Sequence, residues 1–131
     1  MSKFAIIGDS TCDLTPDMRK AHNIDYAHML VNWTDKEKKF HEIPASLEWE
    51  VVSVKEYYNI LRDGCRIITS QVTEQEFDEV FRRHFKAGED ILYIACSSGL
   101  SASLKLAQRL WNEKYSKEFP ERKLIVIDSL I

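Results

Sequence analysis

Hydroxyl side chains gather where the apolar runs of this chain end. "GDSTCD" (Gly8 to Asp13) follows the run Phe4 to Ile7, "CSSGLSAS" (Cys96 to Ser103) follows "ILYIA", and "DSL" closes "KLIVID". A further group, "ITSQVT" (Ile68 to Thr73), lies between two helical stretches. Serines and threonines beside the first turn of a helix suit a small anion or carboxylate, because exposed N–H groups and the helix dipole favour negative charge there. The same residues suit plain capping, in which a serine oxygen accepts from an orphan backbone N–H. Taken singly, Asp9 or Ser10 in a turn and Thr69 or Ser70 capping a loop are the simpler account. Their recurrence at positions that one sheet rim can gather is the argument for binding.

Spacing sets several familiar chemistries aside. "GDSTCD" lacks the Asp-x-Asp of aspartyl phosphatases, and neither G-x-x-x-x-G-K-S/T nor G-x-G-x-x-G occurs. "ACSSGLS" is not a G-x-S-x-G nucleophile elbow, since no glycine stands two places before Ser97 or Ser98. Cys96 has no arginine placed to hold a phosphate. His22, His28, His41 and His84 do not pair at metal spacing, and His84 within "FRRHF" reads as a partly exposed helix residue. None offers an obvious general base.

These residues need elements to position them. Phe4 to Ile7, bounded by Gly8 and Asp9, reads as a buried strand. Thr15 and Pro16 supply an N-cap and a first helical residue for "LTPDMRKAHN". A second strand is expected within "DYAHMLVNW", and "KKFHEI" could add a short edge strand to an otherwise irregular segment from Thr34 to Glu50. Ser53 starts a helix with Val54, Tyr57, Tyr58 and Leu61 on one face, a spacing that predicts core. Thr73 and Glu76 form the pattern of a capping box ahead of Phe77, Val80, Phe81 and Phe85. A strand over Ile91 to Ala95, the helix "LKLAQRLWNEKY" and a strand over Lys123 to Asp128 follow. Continuously apolar strands alternating with amphipathic helices predict a doubly wound α/β fold, a mainly parallel sheet with helices on both faces. In such sheets ligands sit beyond the carboxyl ends of the strands.

Composition agrees with that reading. The 131 residues are the size of one domain, 44% hydrophobic and 30% charged, with a formal net charge of -3. Arg19, Lys20, Lys36, Lys38, Lys39, Arg82 and Arg83 are interleaved with acids and read as solvated faces, so no basic stripe points to nucleic acid. Cys12, Cys65 and Cys96 are odd in number and far apart, against both a disulfide framework and a zinc site. "MSKFAIIGDS" is too short and too polar for a signal peptide or membrane span, and the default location is cytoplasmic.

Taken in order, the motifs resemble those of the DegV family of bacterial fatty-acid-binding proteins. The residues that carry the resemblance are Asp9-Ser10-Thr11 with Asp13, Thr69-Ser70-Gln71, Ser97-Ser98-Gly99-Leu100-Ser101 and Asp128-Ser129. The resemblance implies a long-chain fatty acid whose carboxylate is held by Thr69 and Ser98, assisted by Ser97, Ser101 and N–H groups near Gly99. Asp9, Ser10, Thr11, Ser70 and Gln71 would support that rim. It further implies a carrier that is not itself an enzyme, presenting the bound acid to a separate fatty acid kinase for phospholipid synthesis, with no metal and no cofactor beyond the lipid ligand.

The chain departs from the family pattern in places. Ile67 and Ile68 stand where a Pro-Thr is usual, and Ala102 replaces the glycine of "LSG". The connection from Trp33 to Val52 is long. Family proteins also carry a second domain that closes the tunnel, and nothing here matches it. The expectation is therefore a single domain over residues 1–131, equivalent to the N-terminal half of a longer protein. Two other readings stand beside acyl binding: a hydrolase or phosphotransferase with Ser97 or Ser98 as nucleophile, and a non-catalytic interaction domain whose serines are caps.

Overall fold

A computed structural model describes residues 3–131. The N-terminal apolar run forms strand β1 (Lys3–Asp9), followed by helix α1 (Pro16–Ala21) and strand β2 (Ile24–Ala27). Strands β3 (Leu30–Thr34) and β4 (Phe40–Pro44), helix α2 (Val54–Arg62), strand β5 (Ile67–Ser70) and helix α3 (Glu74–Lys86) come next. Strand β6 (Glu89–Ala95), helix α4 (Ser103–Leu110), a π-helical turn at Trp111–Tyr115, short helix α5 (Ser116–Glu118) and strand β7 (Leu124–Asp128) complete the chain.

The main sheet has four strands in the order β2-β1-β6-β7, and every pairing is parallel. From β1 the chain steps outward to β2 and from β6 outward to β7, in opposite directions. Right-handed crossovers then put α1 and α4 on opposite faces, which is the doubly wound arrangement. On one face, Ala5, Ile7, Ile91, Tyr93 and Ala95 are buried against Phe77, Val80, Phe81 and Phe85 of α3 and Leu104, Ala107 and Leu110 of α4. Phe81 is the hub, its ring 5.8 Å from Tyr93 and 6.0 Å from Tyr115. Side chains of this size stabilise by about 1.5–3 kcal/mol each when fully buried, so this layer holds the fold together.

The other face is covered at one end only. Arg19 of α1 lies over the Tyr26 ring of β2 at 5.0 Å. Across β1, β6 and β7 the register aligns Ile6, Leu92 and Ile125 in one row and Ile94 with Ile127 in the next. Phe4 is 62% exposed and Ile125 58%, so this apolar stripe faces outward.

Several expectations need correction. "DYAHMLVNW" supplies two strands, because the chain breaks at His28 and Met29 to leave the parallel sheet. β3 then pairs antiparallel with β4 and β5 in a second, three-stranded sheet ordered β4-β3-β5. The edge strand read from "KKFHEI" is present as β4, whereas β5, carrying "ITS", is a strand that the sequence pattern does not announce. α2 has the expected Ser53–Glu56 capping box but buries none of its residues, with Val54, Tyr58 and Leu61 all exposed. Its apolar face is therefore not core. Thr73 caps α3 through the Glu76 N–H at 3.1 Å, yet the Glu76 carboxylate turns to the His28 N–H at 2.8 Å instead of back to its own cap. Arg19 is no solvated residue: it is 4% exposed and bonded to the Leu14 carbonyl and the Glu48 carboxylate. Among the described residues no helix is long and apolar enough to cross a membrane.

Candidate functional site

The strand-end motifs meet around one buried carboxyl. Asp9, the last residue of β1, is 1% exposed. It accepts from the Thr11 N–H at 3.0 Å and the Thr11 hydroxyl at 2.5 Å, from the Tyr93 phenol at 3.0 Å and from the Cys96 N–H at 2.8 Å. Burial, and then the charge of Asp9, push the Tyr93 phenol far above its ordinary pKa, so it stays a donor. Asp9 thus fastens "DST" to "CSSGLS" and is not itself presented to a ligand. Its neighbour Ser10 is also occupied, taking the Met29 N–H at 2.8 Å and so fixing the corner between the two sheets.

The loop after β6 folds on Ser97. That side chain is buried, its Oγ accepts the Gly99 N–H at 3.3 Å, and its carbonyl accepts from Leu100 and Ser101 at 2.9 and 3.0 Å. Ser98 is exposed and donates its N–H to Asp128 at 3.1 Å. Hydrogen bonds from the Ser98 hydroxyl and N–H hold the Asp128 carboxyl below its usual range. The N-cap position of helix α4 is Ala102, which has no side chain able to cap it. Ser101 instead accepts the Ser103 N–H at 3.2 Å.

A pocket of about 410 Å³ opens between these loops. Thr69, Ser70 and Gln71 line one wall, Leu100, Ser101 and Ala102 the facing wall, with Thr11, Met29 and Cys96 closing it. Three of the four motifs singled out in the sequence therefore share one cavity. Thr69 also lines a second pocket of about 210 Å³, whose walls include Val31 and Ile43 of the second sheet and Trp49, Val51 and Tyr57 of the segment laid across it. Thr69 thus stands where a cavity carrying the hydroxyl and amide groups of Thr11, Ser70, Gln71 and Ser101 meets one with predominantly apolar walls, an arrangement that suits an anion with an apolar tail.

Of the residues picked from sequence, Thr69, Ser70, Gln71, Thr11 and Ser101 line the polar pocket, and Ser10 lines the apolar one. Ser97, Ser98, Gly99 and Asp9 shape the loops behind it. Reading the sequence missed Ser103, which is fully buried and accepts the Val72 N–H at 3.0 Å, and missed Met29 and Leu100 as wall residues. A signal for Ser103 exists: Ser103, Leu104, Ala107 and Leu110 form the inward stripe of α4. Among the described residues, no group of three His, Cys, Asp or Glu is placed to hold a metal ion.

A model of the DegV family, described as an uncharacterised protein family, matches residues 3–131. A DegV domain-containing protein of Clostridium perfringens is 33% identical over 129 residues, and one of Lactococcus lactis is 34% identical over 128. The matches cover 98% and 97% of this chain but 42% of each relative, so the chain spans less than half their length. Solved structures share the fold. A DegV family protein of Thermus thermophilus described by its fatty acid binding superposes with a TM-score of 0.71 at 24% identity, over 96% of this chain and 40% of that one. DegV of Bacillus subtilis, a fatty-acid-binding protein, gives 0.73 at 20%, over 98% and 42%.

Proposed function

The chain belongs to the DegV family, and from that premise we propose that it binds a long-chain fatty acid as a carrier. The observation that carries this reading is the position of Thr69 between a polar pocket walled by Ser70, Gln71 and Ser101 and an apolar pocket walled by Val31, Ile43 and Tyr57. The carboxylate sits among the donors, and the acyl chain starts across the apolar side. A carboxylate here gains charge-assisted hydrogen bonds, each stronger than a neutral one. The fatty-acid-binding descriptions of the Thermus thermophilus and Bacillus subtilis proteins support the same class of ligand.

The carrier reading, as against catalysis, is supported by what surrounds the serines. A serine is a weak nucleophile until an adjacent base activates it. Ser97 Oγ faces the Gly99 N–H, and Ser98 lies beside Asp128 without an intervening histidine. A separate kinase that phosphorylates the presented carboxylate is part of this proposal. Native mass spectrometry of the purified protein tests the binding step: a mass increment matching a fatty acid, removed by delipidation and restored by oleic acid, is expected. A protein that neither carries nor takes up a fatty acid overturns the reading.

A further inference from the structure

Ser103 is the one fully buried serine at the site. Its Oγ lies 3.0 Å from the Val72 nitrogen and 2.9 Å from Ser101 Oγ. These two neighbours belong to different parts of the site. Val72 directly follows "TSQ", and Ser101 stands on the pocket wall.

The proton count at this cluster gives it a direction. The Val72 N–H can only donate, so one lone pair of Ser103 Oγ is taken. Ser101 Oγ already accepts from the Ser103 N–H at 3.2 Å. If the Ser103 hydroxyl also donates to Ser101, both lone pairs of Ser101 are filled and its own proton is left to point into the pocket. An anion in the pocket selects that orientation over the reverse one. Hydrogen bonds aligned in one direction polarise each other, which strengthens the last donor in the chain.

We infer that Ser103 is a positioning residue for an anionic ligand: it pins the "TSQ" loop through Val72 and directs the Ser101 hydroxyl outward as a donor. This rests on the fatty-acid reading above for the identity of the anion. The sequence Val72 N–H to Ser103 to Ser101 to carboxylate links both ligand loops through one buried oxygen. Threonine keeps that oxygen and alanine deletes it.

Two measurements separate this inference from the reading it rests on. In the ligand-free protein, Ser103→Ala should speed exchange of the Val72 amide at least tenfold, and Ser103→Thr should restore its protection. Titration with oleic acid should show Ser103→Ala weakening binding roughly tenfold, the size of one net hydrogen bond. The loss should be clearly smaller in a Ser101→Ala background, since part of the Ser103 effect passes through Ser101. Unchanged Val72 exchange, or losses that simply add in the double variant, would overturn the inference. Absence of oleic acid binding by the wild-type protein overturns the fatty-acid reading and the ligand-directing role together, while Val72 exchange still decides the pinning role.

Discussion

The Tyr93 phenol donates to the Asp9 carboxylate at 3.0 Å in the middle of the core, joining β1 to β6 from sequence positions 84 apart. Both side chains are essentially inaccessible to water. Leaving a buried donor without an acceptor costs about 1–3 kcal/mol. Asp9→Ala strands the Tyr93 hydroxyl and the Cys96 N–H together, so urea unfolding should show a loss of at least about 2 kcal/mol. Tyr93→Phe removes a donor and leaves Asp9 with its other donors, so it should cost less. Equal losses in the two variants would contradict this account.

A second network makes stability depend on pH. His84 at the end of α3 contacts Asp25 through Nε2 at 2.9 Å and Glu89 through Nδ1 at 2.6 Å. The Asp25 hydrogen bond, opposed by burial and aided by Glu89, raises the His84 pKa above 6.5. Burial works against Asp25 ionisation, yet hydrogen bonds from His84 and Arg83 hold its pKa far below 3.8. A raised histidine contributes fully below its unfolded value and loses that contribution as pH rises through the folded one. The depressed Asp25 contributes above its unfolded value and is lost as pH falls. The pair therefore stabilises most between about pH 4 and 6.5. Melting temperature should fall as pH is raised from 6 to 9, and His84→Gln should flatten that fall. A wild-type profile as flat as the variant's would refute it.

The open sheet face gives the third prediction. Ile125 and Ile127 point away from α4, so replacing both with threonine should change unfolding free energy by less than about 1 kcal/mol. Ile7→Ala on the covered face, where the side chain is fully buried, should cost about 2–5 kcal/mol. Contiguous exposed apolar surface promotes association. Light scattering of the Ile125→Thr, Ile127→Thr double variant should show less self-association than wild type.

Legibility followed the range of the interaction that decides each feature. Thr15, Ser53 and Thr73 were readable as caps because a cap is settled within three residues. The Phe77, Val80, Phe81, Phe85 stripe was readable because helical periodicity reports one buried face. α2 carries an equally good stripe and buries nothing, since periodicity does not say whether another element arrives to cover it. β5 was hidden for a similar reason: "IITS" is short, and only its pairing with β3 makes it a strand. At the site, hydroxyl clustering located the rim. It could not separate Ser101, which faces the pocket, from Ser97, whose oxygen is taken by Gly99. That distinction depends on the turn after β6, where the Leu100 and Ser101 amides both fold back on one carbonyl.

Thr69 carries the sharpest test of the ligand reading, because it alone among the motif residues lines both pockets. Thr69→Val keeps the shape of the side chain and its contact with the apolar pocket while deleting the hydroxyl. A hydrogen bond to a charged group contributes about 1.5–3 kcal/mol, so oleic acid affinity should fall roughly 10- to 150-fold. Thr69→Ser keeps the hydroxyl and loses one methyl, worth about 0.8 kcal/mol, so its affinity should fall only a few-fold. Thr69 is exposed on β5, and its hydroxyl makes no hydrogen bond among the described residues, so both variants should melt close to wild type. Calorimetric titration then reads the hydroxyl directly. If Val and Ser variants bind alike, the carboxylate does not sit at Thr69, and the polar pocket must hold its ligand through Ser101 and Gln71 instead.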